Sequence, residues 1–262
     1  MDFFEFLLEI EYLKSKEGVN MNQFQEWIKE SQSIVFFGGA GVSTESQIPD
    51  FRSDTGLYKK TFSLPAEVIL SHSYYLQNPA SFYDFYFHQM IYPDAKPNDA
   101  HLALAKLEKL GKCKAVITQN IDGLHQQAGS KVVYELHGSV HRNTCRKCHR
   151  KYTLEDMFHL QDDHGIPICP HCQGIVKPDV VLYEEGLDEH TIYAAIQAIS
   201  QADLLIVGGT SLSVYPAAGL LQYFQGKHLV LINKERTPYD EKADLIIHDS
   251  IGKVLKEAIQ EL

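Results

Sequence analysis

No apolar run in this sequence approaches the roughly 18 residues that a bilayer-crossing helix needs, which argues against a membrane-spanning role. The opening stretch MDFFEFLLEIEYLKSKE has neither the basic start nor the unbroken apolar stretch of a secretory signal. Acids interrupt it, and it reads as an amphipathic helix packed on the core of a soluble, cytoplasmic protein. Basic residues are in deficit: 24 Lys and Arg stand against 34 Asp and Glu, a formal net charge of −10. That excludes a general nucleic-acid binder, which would be basic, and suits a basic peptide partner. Internal repeats and low-complexity tracts are missing. Cysteines are few, five in all, and they are not spread as a disulfide framework would spread them.

What the sequence does contain is an alternation. With 262 residues, 44% hydrophobic and 22% charged, the chain can bury a substantial core. After a helix over 22–29, SIVFFGG reads as a buried strand running into a tight turn. DAHLALAKLEKLG, 99–111, reads as a helix with Asp99 near its start and Gly111 as its stop. KAVITQNID and KVVYELHG follow as strands, the second ending at His137. EHTIYAAIQAIS is a helix, DLLIVGGTS a strand and glycine turn, AAGLLQYFQG a helix, KHLVLIN and ADLIIH strands, and IGKVLKEAIQEL a closing helix. This order predicts an α/β fold: a Rossmann-like parallel sheet with helices on both faces. Two insertions break the pattern, a helical one over 54–97 and a cysteine-bearing one over 139–185. They are expected to form a smaller lobe over a main domain built from 1–53, 98–138 and 186–262.

Polar clusters recur at the C-terminal ends of the strands, where such sheets bind ligands, so several strands nominate one pocket. The first cluster is a glycine turn, Gly38-Gly39-Ala40-Gly41, whose glycines let backbone N–H groups approach phosphates. Ser43 and Thr44 are placed to cap the following helix. The usual dinucleotide fingerprint is incomplete, since Gly39-x-Gly41 is followed by Thr44 rather than glycine. A second turn, Gly208-Gly209-Thr210-Ser211, supplies another phosphate cradle, and one dinucleotide can bridge two such turns.

Four cysteines form two Cys-x-x-Cys knuckles, Cys145/Cys148 and Cys169/Cys172, separated by 20 residues. Four thiolates at this spacing suit one tetrahedral Zn²⁺ with no position left open, hence a structural rather than catalytic ion. Cys113, alone in a strand, reads as a buried packing residue.

GGAGVSTESQIPDFRS, TQNIDGLH, LHGSVHRNTC, the paired cysteines, VGGTSLSVYPAAGL and LINKE, in this order, make the chain resemble the sirtuins, a family of NAD-dependent protein lysine deacylases. The resemblance runs from about Ser33 to the C-terminus. One departure is Gln47, where the family usually has glycine. The resemblance implies NAD as co-substrate, with nicotinamide expelled rather than reduced. It assigns Gly39, Ala40, Gly41, Thr44, Asp50, Phe51 and Arg52 to the cofactor, Phe51 shielding the reacting ribose from water. Ile121 and Asp122 fall to the nicotinamide amide, and Gln119 and Asn120 to ribose or its ordered water. Gly209, Thr210 and Ser211 take the phosphates and ribose, and Asn233 and the Ile251 backbone the adenosine end. His137 matches the general base that deprotonates a ribose hydroxyl, with Asn120 the second catalytic residue; His141, four residues on, is its rival. The implied products are free lysine, nicotinamide and an O-acylated ADP-ribose; an NAD-dependent mono-ADP-ribosyltransferase and a non-catalytic NAD-sensing module are the rival readings.

The resemblance also implies a peptide substrate carrying an acetylated lysine. VKPDVVLYEEG, 176–186, would pair with it as an added strand. Val181 would present its carbonyl to the substrate amide, Val180, Leu182 and Tyr183 would line the acyl-lysine tunnel, and Glu184 and Glu185 would attract basic peptides. Relatives that prefer acidic acyl groups carry a Tyr-x-x-Arg pair; here FYDFYFHQM offers Tyr83 and Tyr86 but Gln89 in place of arginine. Acetyl and longer apolar acyl chains are therefore expected over succinyl.

Overall fold

A computed structural model describes residues 21–50, 56 and 64–262. The helix expected within residues 1–17 lies outside the described residues. Nine strands are described: β1 (Ile34–Gly38), β2 (Cys113–Thr118), β3 (Val133–Glu135), β4 (Gly138–Cys145), β5 (Lys151–Tyr152), β6 (Val176–Val180), β7 (Leu204–Gly208), β8 (His228–Ile232) and β9 (Leu245–Ile247). Six form one parallel sheet in the order β3-β2-β1-β7-β8-β9; β5, β4 and β6 form a separate antiparallel sheet. The larger order is that of a doubly wound dinucleotide-binding fold, with the strand order reversing between β1 and β7.

The apolar runs form strands because both faces of the sheet are covered. Along β1, Ile34 and Phe36 enter one apolar layer, and Val35 and Phe37 the other. Leu204/Ile206 and Leu205/Val207 divide in the same way on β7. Strict two-residue alternation thus appears in the packing although the sequence shows only a continuous apolar run. A register shift between Ile34 and Val35 breaks the parity on β2, putting Cys113 and Val116 in the same layer. The helices over 21–30, Asp99–Lys109 and Ile251–Ala258 cover one face, and Glu189–Ser200 with Ala217–Tyr223 covers the other. Full burial of a side chain such as Phe36 or Phe37 contributes on the order of 2–3 kcal/mol.

The helix begins at Asp99 as expected and is capped by Asn98: Asn98 Oδ1 accepts from Ala100 N–H, while His101 Nδ1 accepts from Asn98 N–H. Two expectations need correction. Residues 217–223 form a 3₁₀ rather than an α-helix, following the cis bond between Tyr215 and Pro216. β3 stops at Glu135, and residues 136 and 137 turn directly into β4, so His137 sits at the junction of the two sheets rather than at a strand end.

The second sheet packs with the helical segments Ala66–Ile69, His72–Gln77 and Pro79–Phe85 around a third apolar cluster. Phe82, Tyr83 and Tyr86, all fully buried, meet Cys145, Cys169 and Val176 there. Two insertions distant in sequence therefore share one interior, the smaller lobe.

Candidate active site

A cleft of about 890 Å³ opens at the C-terminal ends of β1, β2, β7 and β8 and extends under the smaller lobe. It stands near the upper end of the roughly 300–1,000 Å³ usual for small-molecule sites. Gly39, Ala40, Gly41, Thr44, Asp50, Gln119, Asn120, Ile121, Asp122, His137, Gly209, Thr210, Ser211, Asn233 and Ile251 all line it, as do Val180, Val181, Leu182 and Tyr183. Phe51 and Arg52 lie outside the described residues.

The two glycine turns meet at the switch point. Gly41 N–H donates to Gly209 O at 2.8 Å. A Cβ on Gly41 would come within 2.8 Å of Gly209 Cα, and one on Gly209, at φ +60°, within 2.4 Å of Val42 N. Glycine is therefore required by the packing of loop on loop, and the Gly41 N–H is spent there rather than on a phosphate. Among the described residues no long helix follows the first turn. Two 3₁₀ turns, Ala40–Val42 and Thr44–Ser46, take its place, and neither has a side-chain cap. Thr44 Oγ1 donates to Gly41 O at 3.0 Å.

Ser43 has a different role from the expected cap. Its hydroxyl accepts from Asn120 Nδ2 at 3.0 Å and donates to Asp122 Oδ2 at 2.7 Å, joining the first turn to the loop after β2. Asp122 also accepts from Leu124 N–H at 2.9 Å. Burial pushes its carboxyl above the ordinary value, opposed by the Leu124 N–H and the Ser43 hydroxyl. Gln119 Nε2 donates to Thr210 Oγ1 at 3.0 Å, tying that loop to the second glycine turn. Glu45 was not anticipated either. It lines the cleft and accepts from Gly252 N–H at 2.8 Å, fastening the start of the closing helix beside Ile251.

His137 Nδ1 lies 3.0 Å from Gln119 O. A carbonyl only accepts, so Nδ1 carries the proton and Nε2 keeps the lone pair. Burial lowers the His137 pKa, and the bond to Gln119 O partly offsets it; the ring is a neutral base at pH 7. His141 is engaged elsewhere. Its Nε2 lies 2.9 Å from Asp122 O, and its ring sits where a Cβ on Gly123 would be, within 2.7 Å. It braces the 122–123 loop.

On the lobe side, Val180 and Leu182 are buried and Tyr183 is exposed. Neither tyrosine of FYDFYFHQM faces the cleft: Tyr83 and Tyr86 are core, and Tyr83 OH donates to Val176 O at 2.7 Å. Gln89 does line it. Glu184 and Glu185 line the cleft and are already hydrogen-bonded within the protein. Glu184 accepts from Ser73 N–H and Oγ at 2.8 and 2.6 Å, and Glu185 pairs with Lys177 and His72.

The four knuckle cysteines gather in the lobe. Their sulfurs all lie within 4.8 Å of one another, with Cys145–Cys172 at 3.4 Å and Cys148–Cys169 at 3.7 Å. These separations are too long for a disulfide and near the roughly 3.8 Å edge of a tetrahedron whose corners lie ~2.3 Å from a zinc. Each knuckle closes on a residue in the left-handed region, His149 and Gln173, both at φ 60°. Cys113 is buried in β2, away from the cluster.

A model of the Sir2 family matches residues 39–216. The chain belongs to the Sir2 family. A Sir2 relative from Clostridium acetobutylicum, named NAD-dependent protein deacetylase, is 60% identical over 241 residues, covering 91% of this chain and 98% of its own. One of the same name from Staphylococcus aureus is 46% identical, covering 89% and 96%. A solved Sir2 structure with a p53 peptide and NAD⁺ superposes with a TM-score of 0.83 at 40% identity, covering 92% of this chain and 98% of that one. Another Sir2 structure, with a propionylated peptide, gives 0.82 at 39% identity over the same shares.

Proposed function

We infer that this chain is an NAD-dependent protein deacetylase that moves the acetyl group of a modified lysine onto ADP-ribose, releasing nicotinamide and, with one water consumed, the free lysine. The observation that carries this reading is the convergence, in one cleft at the switch point, of a neutral His137 with a free Nε2 lone pair, the Asn120–Ser43–Asp122 chain and the lobe segment 180–183. NAD supplies the ribose whose bond to nicotinamide breaks and which receives the acetyl group. Gly39, Ala40, Gly41, Thr44 and Asp50 form its floor, with Phe51 and Arg52 next in sequence. Gly209, Thr210, Ser211, Asn233 and Ile251 hold the phosphates and adenosine. Ile121 and Asp122 orient the nicotinamide amide, while Gln119 and Asn120 hold the ribose. His137 Nε2 takes a proton from a ribose hydroxyl, and Nδ1 stays pinned by Gln119 O so that the ring presents one fixed face.

Val181 O receives the substrate amide, and Val180, Leu182 and Tyr183 enclose the acyl-lysine. The helical segment contributes Gln89 rather than arginine, which favours acetyl and apolar acyl groups over acidic ones. Cys145, Cys148, Cys169 and Cys172 hold a structural Zn²⁺, which ties the lobe together and takes no part in the reaction. The main domain comprises 1–53, 98–138 and 186–262, with 54–97 and 139–185 as the lobe of a cytoplasmic enzyme.

Incubation with NAD and an acetyl-lysine peptide, scoring nicotinamide, O-acetyl-ADP-ribose and NADH together, tests the reading. The first two should form in equal amounts and NADH should not. His137→Ala should lower deacetylation by about 10²–10⁴-fold with NAD affinity retained. Near wild-type turnover in that variant would refute the role of His137. His141→Ala should keep its base and lose only loop rigidity.

A further inference from the structure

Beyond Val180 the segment that receives the peptide is no longer part of a strand, yet its main chain is held throughout. Val181 N–H donates to His137 O at 2.9 Å, Tyr183 N–H to Leu70 O at 3.0 Å, and Tyr183 O accepts from His72 N–H at 3.0 Å. Leu182 N–H donates to Glu185 Oε2 at 2.9 Å, and Leu182 O accepts from Glu185 N–H at 3.0 Å. Among the described residues no donor reaches Val181 O.

Two ionised side chains organise this arrangement. Lys177 is buried, and its Nζ donates to Val180 O at 2.9 Å and Pro178 O at 3.4 Å while pairing with Glu185 Oε2 at 3.2 Å. Glu185 holds His72 Nδ1 at 2.8 Å on its other oxygen. Burying an ion pair seldom stabilises a protein more than an apolar pair of the same volume would. An apolar pair, however, makes no directional bonds to a main chain. Here both ions are spent on such bonds, and those bonds flank Val181.

We propose that Lys177 and Glu185 are positioning residues for the substrate peptide: by engaging Val180 O and Leu182 N–H they leave Val181 O as the one acceptor of the 181–183 segment open to an incoming chain. An extended segment with several open groups would let a peptide pair in more than one register. With the neighbours occupied, one register remains, and it sets where the acyl-lysine enters. This rests on the reading of 180–183 as the peptide-binding wall.

Steady-state kinetics with NAD and an acetyl-lysine peptide varied separately test the proposal. Glu185→Leu and Lys177→Met should each raise the peptide KM about ten-fold or more, the effect expected for losing charge-assisted bonds. The KM for NAD should stay within about two-fold, since neither residue meets the glycine turns. Glu185→Gln, which keeps an oxygen for Leu182 N–H, should recover most of the loss. An unchanged peptide KM in Glu185→Leu would overturn the proposal. So would an equal decline of kcat for every peptide and of thermal stability with no split between the two KM values, the signature of a merely structural pair. If a single variant fails to fold, K177M/E185L, which leaves no unpaired charge, carries the test: a folded, zinc-loaded double variant should keep the raised peptide KM, and a wild-type value would again overturn the proposal. Leu182→Ala separates the two levels. If it too leaves the peptide KM unchanged, the wall itself has been misassigned; if it raises KM while Glu185→Leu does not, only the positioning role fails.

Discussion

The six-stranded sheet and the smaller lobe are held together by different means. In the sheet the stabilising groups are distributed: β1 and β7 send alternate side chains into two apolar layers, and five helical segments cover them. In the lobe regular structure is scant. Its strands include one of two residues, and its interior mixes aromatic rings, Phe82, Tyr83 and Tyr86 among them, with aliphatic side chains and two of the four clustered cysteines. Short strands pair too few residues to hold a sheet alone, so the lobe leans on the cysteine cluster. The cleft lies between sheet and lobe, so the reaction needs the less robust part in order.

The largest expected effect follows directly. Removing the metal with a chelator, or making Cys145→Ala, should abolish deacetylation, because structural zinc supplies about 10–16 kcal/mol of apparent binding energy in isolated zinc modules. Metal analysis of the intact protein should give about one zinc per chain. Hydrogen exchange should rise across β4, β5 and β6 while β1, β7 and β8 stay protected. Loss of protection in both regions together would remove the distinction between them.

The second effect belongs to the sheet. His101 and His125 are fully buried beside its first apolar layer, with ring centroids 4.6 Å apart. Among the described residues, His101 Nε2 and both His125 nitrogens find no hydrogen-bond partner. Burial depresses the His101 pKa from 6.5 to about 4, and burial and His101 together depress that of His125. The unfolded chain therefore binds these protons more readily than the native state. The stability linked to His101 is complete above about pH 6.5 and is lost as pH falls towards 4, by at most about 3 kcal/mol. The single tryptophan, Trp27, packs on this layer and stacks on His228 at 3.9 Å, so its emission reports the sheet. Urea midpoints followed by that emission should fall between pH 6.5 and 4, and His101→Gln should flatten the slope. An unchanged slope would show that these histidines do not carry the acid sensitivity.

How far the sequence reveals each region follows the same division. The strands are legible because burial on both faces leaves unbroken apolar runs, and the knuckles because metal ligands need fixed spacing. The site's internal wiring is less legible because it is non-local. Ser43 looks like a local cap, but its partners are Asn120 and Asp122, and nothing near Ser43 in sequence indicates that. Glu184 and Glu185 look like a solvated acidic pair, yet their partners are Ser73, His72 and Lys177 on other elements. Tyr83 and Tyr86 sit at a spacing that suggests cleft lining, and packing turns both into the lobe's interior. Local pattern gives elements; which polar groups meet is decided by how the two insertions fold against one another.

The smallest effect gives the sharpest contrast, because one kind of substitution should have opposite signs in the two regions. Gln47, at φ 65° and ψ 19°, ends the Thr44–Ser46 turn in the left-handed region, and its N–H donates to Thr44 O at 3.1 Å. A side chain there costs roughly 1–2 kcal/mol, against the roughly 0.5–1 kcal/mol of extra unfolded-chain entropy that glycine brings. Gln47→Gly should therefore raise stability by under about 1 kcal/mol, a shift of no more than about 2–4 °C in Tm, with the KM for NAD unchanged. Glu184 is also left-handed, at φ 74°, but its carboxylate accepts two hydrogen bonds from Ser73 that fasten the segment proposed to bind the peptide to the helix at 72–77. Glu184→Gly would relieve the same backbone strain and lose both bonds, so it should lower stability and raise the peptide KM. A gain in both variants would mean that backbone strain alone governs the two loops and that the Ser73 contacts add nothing.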